Sequence, residues 1–251
     1  IPIIEADSFQ SITGKGIYAT VGQETIQVGS IDWIHEFADL SAYEADVHHL
    51  ASEGKSVIAA ATENAFLGMI GIADRIRSDS PKVISELESY KIKTVMLTGD
   101  APITAQVIAN QINLSDVRAS LLPKHKLTAV KELKEQYGMV AMVGDGINDA
   151  PALATANIGI AMGGAGTDAA LETADVVLMS DHLEKLPYLI KLSKRTLAII
   201  KQNIIFALGL KAVALLLVIP GLLTLWIAIF ADIGATLLVV ANSLRLLKKK
   251  D

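Results

Sequence analysis

The sequence predicts an α/β region with a parallel sheet, preceded by part of a smaller α+β region and followed by a two-helix membrane hairpin. Three observations carry this. Between about residues 65 and 185, short apolar runs alternate with amphipathic segments: FLGMIGIA, TVMLT, VAMVG, IGIAM and VVLM, each followed by Gly or polar residues. Such runs, rich in Val, Ile and Met, read as buried parallel strands in a βαβ layout. Earlier, ITGKGIYATVGQETIQVGS reads as short strands punctuated by glycine, and Ser30 to Glu53 as mostly helical. Later, two long apolar runs flank Pro220-Gly221. The expected domains are 1–64, 65–185 and 186–251.

Within the α/β region, Ser80-Pro81 is expected to open a helix, with serine as N-cap and proline in the first turn. Lys124 to Gln136 reads as another, with Leu127, Val130 and Leu133 on one face. The total of 251 residues suits one large or two small domains. A net charge of −5 gives no basic face for a nucleic acid. With no cysteine, the chain can build neither a disulfide nor a thiolate metal site from its own residues. The start, IPIIEADSFQ, lacks the basic stretch and apolar length of a signal peptide. It also lacks an initiating Met, so a piece of a longer protein is expected.

In the last region, 204–219 is apolar except for Lys211, and 222–241 except for Asp232. Each run, with its flanks, reaches the ~20 residues that a spanning helix needs. Two buried helices of a soluble protein are the alternative, but runs this long are rare in soluble cores. The tail LRLLKKKD places clustered lysines beside a span, which favours the cytoplasmic side. A hairpin returns the chain to its starting side. The expected protein is therefore a multi-pass component of the cell membrane, with residues 1 to about 195 and the tail in the cytoplasm.

Ligands of open α/β sheets sit at the carboxyl ends of the strands. Three polar clusters fall there. TVMLT leads into Thr98-Gly99-Asp100, VAMVG leads into Asp145-Gly146-Ile147-Asn148-Asp149, and Lys124 and Lys126 follow Pro123 at a helix start. A transferring phosphoryl group spreads charge over its oxygens, so its catalysis is mostly placement plus positive charge. The Thr98 hydroxyl and nearby backbone N–H groups could hold those oxygens, and Lys126 could neutralise them. Asp145 and Asp149 are hard oxygen ligands suited to magnesium with retained water. Gly144 and Gly146 let the backbone bend tightly around Asp145. Taken singly, these are a turn, a solvated helix start and a surface lysine. Together, in order and at strand ends, they point to phosphate chemistry.

An ionised side chain near the bilayer centre costs roughly 2.5–3.5 kcal/mol on the insertion scale. Counted from Pro220, Lys211 and Asp232 lie at depths of ~14 and ~18 Å at the helical rise. Similar depth makes pairing plausible. A salt bridge locking two helices is one reading. The other is ion binding: Asp232 offers a hard carboxylate to a divalent cation such as zinc. Lys211 then serves as a built-in counter-ion when the site is empty.

The string MVGDGINDAPALA closely resembles the hinge signature of the P-type ATPases, within the haloacid-dehalogenase fold. DRIRSDS, MLTGD, LLPKHK and IGIAMGGAGTDAALETADVVLM follow in the family's order, over essentially the whole chain. The resemblance implies a haloacid-dehalogenase-like (Rossmannoid) phosphorylation domain, part of an α+β nucleotide-binding domain and the last two transmembrane helices. It implies that Thr98 binds the phosphoryl group, Lys126 stabilises it, and Asp145 coordinates magnesium with Asp149 behind it. Asp100 and Asp74 would orient the site and its closures. Ala101 departs from the family, which commonly has Asn there; it is expected to weaken one contact to the nucleotide domain without abolishing turnover.

Ile12-Thr13-Gly14-Lys15-Gly16 resembles the family's Gly-x-Gly nucleotide loop, which would give Gly14 and Gly16 an ATP-binding role; an ordinary hairpin turn is the alternative. Ser30 stands where heavy-metal relatives often have Asn. The family's DKTG aspartate, its His-Pro pair and its Cys-Pro-Cys helix do not occur here. The chain is therefore expected to be a fragment that cannot complete a catalytic cycle by itself.

Lys211 with Asp232-Ile233-Gly234 resembles the zinc/cadmium/lead subclass. The copper pattern of Tyr-Asn with Met-x-x-Ser-Ser and the cobalt pattern of His-Glu-Gly are missing. The implied activity is ATP-driven export of zinc, cadmium or lead through an aspartyl-phosphate, with ATP and magnesium as cofactors. The implied partners are those ions, membrane lipid and the upstream part of the same pump. Rival readings are a soluble haloacid-dehalogenase phosphatase, a non-catalytic fragment, and a pump for copper, calcium or potassium.

Overall fold

The computed structural model describes residues 5–63, 65–145, 149–163, 172–179 and 182–247. The chain forms two compact units, 1–184 and 185–251.

The first unit opens with a five-stranded antiparallel sheet in chain order: β1 (Ser8–Ile12), β2 (Gly16–Val21), β3 (Glu24–Ser30), β4 (Ser56–Thr62) and β5 (Phe66–Ile72). Between β3 and β4 lie α1 (Ile31–Ile34), a 3-10 turn (Ser41–Tyr43) and α2 (Glu44–Ser52). Trp33, Ile34, Leu40, Ala59 and Ala61 form the core over one face. Tyr18, Trp33 and Phe37 meet edge to face, with centroids 5.0–5.8 Å apart, the arrangement their quadrupoles favour. Small residues make room for them. A Cβ on Gly29 would lie 2.5 Å from the Trp33 ring and 2.3 Å from the Lys15 carbonyl oxygen.

Phe66–Ile72 differs from the expectation of a buried parallel strand in the second region. It pairs antiparallel with β4 and closes the first sheet. The reason is local. Thr62 N–H donates to the Ala65 carbonyl at 2.8 Å, and Ala65 N–H donates back to Thr62 Oγ1 at 3.1 Å. So short a connection can join only antiparallel neighbours, because parallel pairing needs a crossover. The alanine-rich β4 hid its partner from the sequence reading.

Then the chain turns α/β: α3 (Ser80–Ser89), β6 (Val95–Leu97), α4 (Pro102–Gln111), β7 (Asp116–Arg118), α5 (Pro123–Tyr137), β8 (Ala141–Gly144), α6 (Ala150–Thr155), β9 (Ile158–Met162) and β10 (Val176–Leu178). β6 pairs parallel with β7, and β8, β9 and β10 form a parallel trio with β9 central. TVMLT, VAMVG, IGIAM and VVLM are thus parallel strands, as expected. β7 was not foreseen, since Asp116-Val117-Arg118 has a single apolar residue. Ser80 is the first residue of α3 rather than its cap; Asp79 occupies that position, without a capping bond from its side chain. Val130, Met142, Ala152, Leu153 and Ala161 make the second core, with Leu97 packed against it. That contact ties β6 to the β8 trio.

The second unit is a helical hairpin: α7 (Lys185–Val218) and α8 (Leu225–Ser243). Both are long and apolar enough to cross a membrane. Their apolar side chains, among them Leu215, Phe230 and Leu237, are exposed, as suits helices that are hydrophobic all round. At the turn, Gly221 N–H donates to the Val218 carbonyl and Leu222 N–H to the Leu217 carbonyl, both at 3.0 Å. Gly221 has φ +72°. This is a Schellman closure, which favours glycine. Thr224 then caps α8 by accepting from Ile227 N–H. α7 starts 19 residues before the expected apolar run, because the amphipathic segment 185–203 continues the same helix.

Gly29→Ala should destabilise the first unit by about 1–3 kcal/mol, the range for overpacking, lowering its thermal unfolding midpoint. An unchanged midpoint would show that both Trp33 and the Lys15–Gly16 backbone can move aside.

Candidate functional site

Thr98 follows β6 directly. Its hydroxyl donates to Asp100 Oδ2 at 2.6 Å, and Asp100 N–H donates back to Thr98 Oγ1 at 3.1 Å. Asp100 Oδ1 accepts from the Ser56 hydroxyl at 2.6 Å. Thr98 and Asp100 are half-buried, and Gly99 is exposed. Leu121 N–H donates to the Thr98 carbonyl at 2.9 Å, and Ser120 N–H to the Asp100 carbonyl at 2.8 Å. The loop before α5 therefore lies on the Thr98-Gly99-Asp100 turn. Leu122, the last residue of that loop, stands at the N-cap of α5.

Lys126 sits in the first turn of α5 and donates to Asp149 Oδ1 at 2.9 Å. The side chains are only 18% and 12% exposed, so this is a largely buried ion pair. Asp149 occupies the N-cap position of α6. Gly144, the last residue of β8, makes room for it: a Cβ there would lie 2.9 Å from Asp149 Oδ2. Asp145 comes next along the chain and is exposed. Gly146, Ile147 and Asn148 lie outside the described residues. Lys124 is exposed, as is Asp74 in the extended stretch between β5 and α3.

Gly14 lies in the β1–β2 hairpin turn, closed by Lys15 N–H donating to the Ile12 carbonyl at 3.0 Å, and Gly16 is the first residue of β2. Gly14 has φ +77°, and a Cβ on it would lie 2.3 Å from Leu122 Cδ2. The turn thus rests on the residue that caps α5. A Cβ on Gly16 would strike the Val28 carbonyl and the Trp33 ring, so packing alone accounts for glycine there. Ser56 escaped the sequence reading, because a serine in a strand carries no local signal. Its role needs the fold to bring it 44 positions along the chain to Asp100.

The hairpin unit does not bring Lys211 and Asp232 together. Lys211 and Asp232 are both exposed, and among the described residues no ion pair joins them. Two helices offer one mutual interface, and these residues lie on faces that it leaves open. The helices are instead joined by polar bonds at their other end. Asn203 donates to Ser243 Oγ at 3.0 Å, and Asn242 donates to Asn203 Oδ1 at 2.8 Å. At the second helix's own end, Arg245 donates to Asn242 Oδ1 at 2.8 Å.

A profile of the haloacid dehalogenase-like hydrolases matches residues 2–157. The chain belongs to that family. It is also 53% identical, over 99% of its length, to a probable cadmium-transporting ATPase of Listeria monocytogenes, and covers 35% of that protein. It is 44% identical over its full length to the zinc/cadmium/lead-transporting P-type ATPase of Escherichia coli (strain K12), covering 33% of it. A crystal structure of a zinc-transporting PIB-type ATPase in the E2.Pi state superposes with a TM-score of 0.72 at 43% identity. That match covers 98% of this chain and 40% of the other. The chain thus spans about a third of the length of the curated relatives it matches. The resemblance to heavy-metal P-type ATPases read from the motifs holds along the whole chain.

Lys126→Ala should destabilise the first unit by about 3 kcal/mol, since it strands a buried carboxylate. Lys126→Ala/Asp149→Ala should recover part of that loss. Urea unfolding followed by Trp33 fluorescence, in a Trp226→Phe background, checks both.

Proposed function

We propose that this chain is part of an ATP-driven, multi-pass membrane pump that exports zinc, cadmium or lead through an aspartyl-phosphate formed on a carboxylate outside these residues. One observation carries the reading. A phosphate-type cluster, Thr98-Asp100 with Lys126-Asp149, shares a polypeptide with a membrane-length hairpin bearing Lys211 and Asp232. A soluble phosphatase explains only the first half.

In this reading the Thr98 hydroxyl and the N–H of Gly99 hold phosphoryl oxygens. Lys126 spreads positive charge over them while Asp149 fixes its ammonium. Nucleophilic catalysis divides the transfer into two easier steps, and charge stabilisation is what this chain contributes. The donor set fits magnesium. Asp145 offers an exposed hard carboxylate, Asp149 is held by Lys126 just behind it, and magnesium accepts one or two carboxylates with waters and phosphate oxygens completing its shell. Magnesium would supply positive charge between the phosphates. Gly14 and Gly16 present backbone to the nucleotide, beside Leu122. Asp100 and Asp74 orient the site and its closures.

Residues 1 to about 195 and the tail work in the cytoplasm. In the membrane, Asp232 supplies the carboxylate ligand of the transported cation. Lys211 balances its charge when no cation is bound, an arrangement that needs the remaining helices of the bundle to enclose both.

In the complete pump, Asp232→Ala should abolish zinc-stimulated ATP hydrolysis, and Lys211→Ala should leave partial turnover that no longer depends on metal. Full metal-dependent turnover in the first variant would end the ion-ligand role. An unaltered basal rate in the second would end the counter-ion role.

A further inference from the structure

We propose that Ser56 is a positioning residue for phosphoryl transfer, acting through Asp100 on the Thr98 hydroxyl. The inference rests on the function proposed above. The Asp100 carboxylate accepts two hydroxyls at 2.6 Å, one on each oxygen. The Thr98 donor comes from its own turn, and the Ser56 donor from the antiparallel sheet. To donate to a phosphoryl oxygen, Thr98 must give up its bond to Asp100. A carboxylate left without any partner in a half-buried place is costly. The Ser56 hydroxyl remains on Asp100 through that exchange, so Thr98 is released at lower cost.

The same residue sits where the two halves of the first unit meet. Ser56 is the first residue of β4. Next to it, the Lys55 carbonyl accepts from Thr104 Oγ1 of α4 at 3.0 Å, and Thr104 is buried. Gly54 lies against Val107 of the same helix, where a Cβ would come within 3.3 Å. The Gly14 turn, which leads into β2 at Gly16, belongs to the same sheet and rests on Leu122. The antiparallel sheet cannot withdraw from the α/β half without breaking the Ser56–Asp100 bond. That bond therefore links the approach of the nucleotide turn to the setting of Thr98. Transfer from ATP needs this approach; transfer from inorganic phosphate, which carries no nucleoside, does not.

The test uses the complete pump in membrane vesicles, comparing acid-stable phosphoenzyme formed from ATP with that formed from inorganic phosphate. Ser56→Ala should slow formation from ATP about tenfold, the weight of one hydrogen bond to a charged group, and slow formation from phosphate by less, because Thr98 meets a phosphoryl oxygen in both reactions but only ATP needs the approach of the nucleotide turn. Ser56→Thr, which keeps the hydroxyl, should restore the rate. Ser56→Cys, a weak donor of similar size, should fall between. In an Asp100→Ala background, Ser56→Ala should have no further effect. No loss from ATP, no rescue by threonine, or a full additional loss in the Asp100→Ala background would each overturn the positioning role while leaving the pump reading intact, and equal losses from both donors would overturn its link to the nucleotide turn. A parent protein that forms no phosphoenzyme from either donor would overturn both.

Discussion

The ion pair between Lys126 and Asp149 constrains everything around it. Neither charge could be buried to this degree without the other. Keeping them 2.9 Å apart requires the start of α5 and the start of α6 to converge at the end of β8. It also requires a residue without a Cβ at Gly144, since any side chain there would push into Asp149. The pair divides labour between two nearby carboxylates. Asp149 is bonded to the lysine and fixes its position, and Asp145, the residue after β8, is exposed.

Around this pair the first unit works as two halves with different jobs. The α/β half carries Thr98, Asp100 and Lys126 on turns at strand ends, linked through Ser120, Leu121 and Leu122. The antiparallel half carries the glycine turn and is held rigid by the Tyr18, Trp33 and Phe37 cluster. Its bonds to the other half are few and polar, Ser56 to Asp100 and Thr104 to the Lys55 carbonyl.

The hairpin unit obeys a different solvent. Its apolar surface is exposed almost throughout, and its backbone is satisfied within each helix, the condition for a hydrocarbon environment. The polar bonds among Asn203, Asn242 and Ser243 fix the register of the two helices at one end. Lys211 and Asp232 remain on open faces. In a bundle of more helices those faces would become interior, where an ionised side chain is expensive.

Local pattern determined most of the architecture and the identity of the chemical groups. The short apolar runs specified the parallel strands, the two long ones with Pro220-Gly221 specified the hairpin, and order along the chain singled out Thr98, Lys126, Asp145 and Asp149. These features are legible because strand alternation, helix length and turn chemistry act over a few residues. Tertiary structure alone decided which half received Phe66–Ile72, since that depended on an alanine-rich partner with little signal of its own. It alone brought Ser56 to Asp100, Leu122 under Gly14, and Asp149 against a bare Gly144. It also kept Lys211 from Asp232, although their spacing from the turn had suggested a pair. Depth along a helix follows from counting residues, but the direction a side chain faces depends on which surfaces the helices bury against each other, and that is a property of the packed molecule.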